Sequence, residues 1–185
     1  KQFSVTNSKQ AKNIEKDLLK TADGKLLVNK VEKKQRKRNP APPFITSTLQ
    51  QEAARKLGFT ARRTMQTAQQ LYEGVTIGKE SDGLISYMRT DSVNLAQEAL
   101  DDIRTFILKH YGKENLPESP RFYKTKSKNA QEAHEAIRPT AIQRTPESIK
   151  DYLNADQLKL YSLIWKRTVA CQMVHATINT VSVDL

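Results

Sequence analysis

Residues 83–92 read GLISYMRTDS, placing Tyr87 and Arg89 two positions apart. A phenol titrates near pH 10 and attacks poorly unless a cation or base stabilises the phenolate. Arginine suits phosphate, because its planar fork of N–H donors matches the non-bridging oxygens. In an extended segment, residues i and i+2 project to the same side, so Tyr87 and Arg89 can face one phosphodiester. Each also has a plainer reading, Tyr87 as half-buried strand packing and Arg89 as one end of a surface ion pair. A second pair, His134 and Arg138, lies in AQEAHEAIRPT (residues 130–140). An imidazole there can hydrogen-bond a phosphodiester or help move a proton; its plainer reading is a part-exposed helix histidine.

Other chemistries are missing from the sequence. HEAIR (residues 134–138) starts like a zinc-protease helix, but Arg138 stands where the second histidine must be. His110 and His175 have no ligand-like spacing. No G-x-x-x-x-G-K-[ST] loop offers an ATP cradle, and no D-x-D-x-E cluster offers a magnesium site for phosphoryl transfer. The single cysteine, Cys171, excludes an internal disulfide and fits a reducing cytoplasm. No apolar run approaches the ~20 residues of a membrane span. The start, KQFSVTNSKQ, has neither a Met nor an apolar leader, which reads as a piece of a longer protein.

Across 185 residues, 31 Lys and Arg stand against 20 Asp and Glu, leaving a net charge of +11. Such an excess favours a polyanionic partner, nucleic acid above all. It is concentrated in NKVEKKQRKRNP (residues 29–40), with six cations and one acid, either a phosphate-contacting edge or a solvated linker.

The elements that must position Tyr87 and His134 can be read from periodicity and punctuation. Ile14, Leu18 and Leu19 have helical spacing, and a basic strand follows the turn at Gly24. Pro40, Pro42 and Pro43 forbid regular structure and mark a boundary. Beyond them, Thr46–Thr48 supply cap candidates for a helix ending at Gly58, and Thr60 caps a second with Met65, Ala68, Leu71 and Tyr72 on one face. VTIG-KESDG-LISYM reads as a hairpin whose returning strand carries Tyr87 or ends just before it. Helix, turn, helix and hairpin is the order of a winged helix. Asp91, Ser92 or Asn94 is expected to cap the next helix, with its stripe at Leu95, Ala99, Ile103 and Ile107 and its end at Gly112. NAQEAHEAIRPT (residues 129–140) reads as a short helical turn stopped by Pro139. Thr145 and Asn154 cap two more helices. The alternating tail VHATINTVSVDL reads as a strand with no partner nearby in the sequence.

LISYMRTDS (residues 84–92) closely resembles the active-site segment of the bacterial type IA DNA topoisomerases. AQEAHEAIRPT is similar to a second signature of that family. NPAPPFITSTLQQEAARKLGF (residues 39–59) and LYSLIWKRTVACQM (residues 160–173) resemble its flanking segments. The four matches occur in the family's order over about three-quarters of the chain.

The resemblance implies a tyrosine that attacks a single-strand phosphodiester, keeps the 5′-phosphate, releases a 3′-hydroxyl and reseals the strand without ATP after strand passage. Carried over, Tyr87 is the nucleophile, Arg89 stabilises the scissile phosphate, His134 lies near the DNA backbone with a catalytic part, and Arg138 is a further DNA contact. Thr90, Asp91 and Ser92 shape a helix entry. The implied fold is mainly α with minor β: a helical, winged-helix (CAP-like) tyrosine domain, residues 40–173, inserted into parts of a β-rich arch, residues 1–39 and 174–185. The family's Mg²⁺ ligands belong to a TOPRIM domain that is not in this sequence, so the piece is expected to bind no metal and to be inactive alone. The implied setting is a bacterial cytoplasm, at the nucleoid. The implied partner is DNA, especially single-stranded or underwound, for a monomer using neither ATP nor a membrane. The alternative reading is a non-catalytic winged-helix DNA-binding module.

Overall fold

Four helices begin where a capping side chain precedes an apolar or amphipathic run. In the computed structural model, which describes residues 4–124 and 135–185, Asn7 caps α1 (Ser8–Ala22), Thr60 caps α3 (Ala61–Glu73), Thr145 caps α5 (Pro146–Ile149) and Asn154 caps α6 (Ala155–Cys171). Each cap oxygen accepts an N–H that the first helical turn leaves without an intrahelical partner. At α6 the exchange is reciprocal, because the Gln157 side chain accepts from the Asn154 N–H at 3.0 Å.

The chain forms two compact units, residues 38–176 and a second made of residues up to 37 with 177–185. The larger unit holds the core. In it α2 (Thr46–Leu57) and α3 are joined by Gly58, whose φ of +67° suits a residue without a Cβ. The hairpin of β2 (Val75–Ile77) and β3 (Glu80–Asp82) follows, then α4 (Gln97–Tyr111), α5 and α6. Phe44, Leu49, Leu71, Leu84, Ile103, Ile107, Leu160, Tyr161 and Ile164 meet in one cluster. Burying a large apolar side chain of this kind stabilises by about 1.5–3 kcal/mol. The polar tips on α6 are satisfied, with the Tyr161 hydroxyl donating to Arg144 O at 2.6 Å and Trp165 Nε1 to Ile142 O at 2.9 Å.

In the smaller unit, β1 (Lys30–Arg38) pairs with β4 (Ala176–Asp184). Asn29 N donates to Asp184 O and Thr180 Oγ1 to Lys34 O, so the strands run antiparallel. The partner of the alternating tail is thus the basic segment at the other end of the sequence. Among the described residues of this unit, no side chain is buried.

Three sequence expectations are corrected near Tyr87. The hairpin is tighter than expected: its turn is Gly78-Lys79, with Ile77 opposite Glu80 and Val75 opposite Asp82, so β3 ends five residues before Tyr87. Helix α4 starts at Gln97, not behind Asp91, Ser92 or Asn94, and Ala96 at its N-cap has no side-chain cap bond. Thr90 and Ser92 are occupied instead in local bonds, the Thr90 hydroxyl accepting from Ser92 N at 3.0 Å and the Ser92 hydroxyl from Asn94 N at 3.2 Å. Such side chain-to-backbone bonds compete with helix. Residues 135–140 form no helix but two isolated bridges, from Ile137 to Phe44 and from Pro139 to Ile85, and the rest of the expected turn lies outside the described residues. Pro139 disfavours helical backbone at Arg138, and the N–H groups of Ile137 and Thr140 go to Phe44 O and Leu84 O.

Candidate active site

The segment carrying Tyr87 is clamped from both sides. It leaves β3 at Gly83, where an added Cβ would stand 2.6 Å from the Tyr72 carbonyl oxygen. Only a residue without a side chain passes the end of α3 this closely. Leu84 N then donates to Leu71 O at 2.7 Å. On one flank is the 135–140 segment: Ser86 N donates to Arg138 O at 2.9 Å, and Ser86 Oγ donates to Ala136 O at 2.7 Å and accepts from Arg138 N at 3.0 Å. On the other flank is the first residue of α2. The Thr46 hydroxyl donates to Met88 O at 2.7 Å and accepts from Thr90 N at 2.9 Å, while Thr46 N donates to Thr90 O at 3.0 Å. Tyr87 lies between these two sets of bonds.

The clamp imposes a burial period of two without a regular strand. Met88, Thr90 and Ser92 are buried, whereas Tyr87, Arg89 and Asp91 are exposed. Tyr87 and Arg89 are thus both exposed on either side of the buried Met88, but the chain bends at Ser86 and Met88, so the expected straight strand is not formed there. The Tyr87 ring is 48% exposed and meets Tyr72, at the end of α3, edge to face with centroids 5.2 Å apart. This arrangement places the positive ring edge of one aromatic over the negative face of the other. Among the described residues Arg89 forms no ion pair. The surface ion pair that was its plainer reading is not formed among those residues.

Arg138 is engaged. Its Nε donates to Glu135 Oε1 at 2.7 Å and its Nη1 to Pro139 O at 2.9 Å, with 19% of the side chain exposed. The same Glu135 oxygen accepts from Ala96 N at 2.7 Å. Glu135 thus supplies from a distant segment the cap that α4 lacks, and ties that helix to the segment flanking Tyr87. His134, the residue before Glu135, lies outside the described residues.

Sequence reasoning missed the positioning roles of Thr46, Tyr72, Ser86 and Glu135. Thr46 read as a helix cap and Tyr72 as a helix-face residue, and Ser86 and Glu135 carried no local signal, because their partners are about 50 and 39 residues away. Among the described residues no three His, Cys, Asp or Glu side chains cluster to hold a metal ion. No helix among the described residues is long and apolar enough to cross a membrane.

Comparison with known proteins adds the family. The family model described as DNA topoisomerase matches residues 1–185. The chain is 58% identical over 185 residues to DNA topoisomerase 1 of Xylella fastidiosa (strain Temecula1), covering 100% of this chain and 23% of that protein. It is 59% identical over 183 residues to DNA topoisomerase 1 of Rickettsia bellii (strain RML369-C), covering 99% of this chain and 22% of that protein. The solved structure of full-length topoisomerase I from Thermotoga maritima superposes with a TM-score of 0.76 at 38% identity, over 99% of this chain and 28% of that one. The chain thus spans about a quarter of the length of these relatives.

Proposed function

This chain belongs to the DNA topoisomerase family, and from that premise we propose that Tyr87 is the nucleophile of a type IA, ATP-independent strand-cleaving enzyme of which the chain is one part. The carrying observation is that Tyr87 and Arg89 are both exposed in a segment whose alternate residues, Met88 and Thr90, are buried and clamped. A clamped segment holds both side chains near a productive geometry, which is where much of the advantage of a preorganised site arises.

In the proposed step the Tyr87 Oη attacks the phosphorus of a single-strand phosphodiester. A bond forms from Oη to phosphorus and the bond from phosphorus to the 3′-oxygen breaks, leaving a 5′-phosphotyrosine and a 3′-hydroxyl. The phenol loses one proton and the departing 3′-oxygen gains one, so the exchange is balanced and one ester replaces another. Resealing runs the same step backwards and needs no ATP, because the phosphotyrosine keeps the energy of the broken link. Arg89 pairs with the non-bridging oxygens, where negative charge increases at the transition state. His134 is proposed to contact the DNA backbone and assist the proton transfer. Arg138 is proposed to reach DNA through the guanidinium N–H groups that Glu135 and Pro139 leave free.

Residues 1–39 and 174–185 are proposed to be parts of an arch into which the tyrosine unit, 40–173, is inserted. Mg²⁺ is proposed for the whole enzyme, at carboxylates elsewhere in it, so no step is assigned to the ion here.

The test is relaxation of negatively supercoiled plasmid by the full-length protein carrying Tyr87→Phe. Relaxation should be abolished, while a wild-type rate would mean that the chain serves only as a winged-helix DNA-binding module. Incubated alone with Mg²⁺ and a single-stranded oligonucleotide, the chain should form no covalent adduct. An adduct in good yield that disappears in Tyr87→Phe would show that the chain is complete for cleavage.

A further inference from the structure

Two concavities lie along α6, and neither is lined by Tyr87 or Arg89. One, of about 540 Å³, runs between the last turn of α2 and α6. The other, of about 580 Å³, runs between the end of α4, α5 and α6. They share Leu158, Ser162 and Lys166, a row along α6 that borders both, so they lie side by side across that helix as a double trough.

The lining of the trough is chemically polarised. Lys56, Lys159, Lys166 and Arg167 line the α2 end, which has no acidic residue in its walls and a floor of leucine and alanine. Lys56 and Arg167 are partly neutralised by Glu52, at 2.7 and 3.5 Å. Lys159 and Lys166 are exposed and form no ion pair among the described residues. Seven residues apart on one helix, they stand on the same face two turns from each other. The α4 end is aromatic instead. There Tyr111 is 41% exposed, and the exposed His110 ring stacks on Phe106 with centroids 4.2 Å apart. The acid in that wall, Glu147, is paired with Lys150.

We propose that this trough is a second DNA contact, taking a single strand whose phosphates follow Lys159 and Lys166 and whose bases stack at His110 and Tyr111. Unpaired lysines supply the sequence-independent attraction, and exposed aromatic rings supply stacking that unstacked bases can use and a duplex, with its bases turned inward, cannot. The trough is separate from the nucleophile. Helix α2 begins at Thr46, which holds the Tyr87 segment, and Lys56 lies ten residues further along, about 15 Å at the helical rise. The inference rests on the reading above only in taking DNA as the ligand, not in the role of Tyr87.

The experiment is equilibrium binding of fluorescein-labelled oligo-dT of about 15 nucleotides, the scale of a single-strand site, to the whole chain over a range of NaCl. The double variant Lys159→Ala/Lys166→Ala should bind roughly tenfold more weakly at low salt. Its log-log salt slope should be shallower by about 1.4, because each single-strand phosphate contact contributes ~0.7. Tyr111→Ala should weaken oligo-dT binding several-fold while leaving duplex binding unchanged. An unchanged affinity and slope in the double variant overturns the proposal. So does duplex of the same length binding as tightly as oligo-dT, or poly-glutamate competing equally at matched charge, which would assign the trough to an acidic protein. Since the readout is binding rather than strand cleavage, failure here and failure of the Tyr87 reading in the relaxation assay are distinguishable.

Discussion

At the scale of single residues, the site depends on side chains that do no chemistry. Thr46 is the clearest case, because one hydroxyl both donates to Met88 O and accepts from the buried Thr90 N–H. Replacing it with valine keeps the shape and leaves that N–H without its oxygen. Unsatisfied buried groups cost about 1–3 kcal/mol, so Thr46→Val should lower the urea midpoint accordingly and speed exchange of the Thr90 amide, with Thr46→Ser close to wild type. A Thr90 amide protected equally in all three proteins would remove Thr46 from the clamp. Cys171, also buried, is inert by contrast: burial pushes its thiol up to about 12, which keeps it neutral.

At the scale of elements, legibility tracked the distance over which the deciding interaction acts. The caps Thr60, Thr145 and Asn154 were readable because cap and first turn are neighbours in sequence. The start of α4 was not, because the oxygen that receives its Ala96 N–H belongs to Glu135. The ion pair joining α3 to α6 was equally hidden: Arg63 donates from Nε and Nη2 to Asp156 at 2.7 and 2.8 Å, across 93 residues. The hydrogen bonds from Arg63 hold the Asp156 carboxyl below its ordinary value of 3.8. A depressed carboxyl binds its proton more readily in the unfolded chain. Its contribution is therefore fully present above the unfolded value and is lost as pH falls through the folded one. Melting temperatures of wild type and Asp156→Asn should differ at neutral pH and converge below about pH 4. A difference that persists undiminished in acid would mean that the carboxylate charge is not what joins the two helices.

At the scale of the whole molecule, the two units differ in what holds them. The 38–176 unit has a contiguous apolar core, whereas among its described residues the other unit has no buried side chain, and Leu18, Leu19, Leu27 and Val181 are exposed. A two-stranded sheet without a packed face is marginal in water, and local stability follows local burial. Hydrogen exchange on this chain should show the paired amides of β1 and β4 exchanging orders of magnitude faster than those in the middle of α6. Equal protection would indicate that the β1–β4 unit is stabilised by something other than its own packing.

The sequence by itself determined the family, through four ordered motifs, and most helices, through caps and 3.6-residue periodicity. Alternation along the motif also made Tyr87 and Arg89 candidates for the exposed side, and both are exposed. Tertiary structure decided the path of that segment, which bends at Ser86 and Met88. The hairpin ends at Asp82, and residues 83–90 hold their shape through Thr46, Ser86 and the 135–140 segment. It decided as well that the tail pairs with the basic segment and that two clefts adjoin across α6. These features depend on hydrogen bonds and packing between residues tens of positions apart, which neither periodicity nor capping can encode.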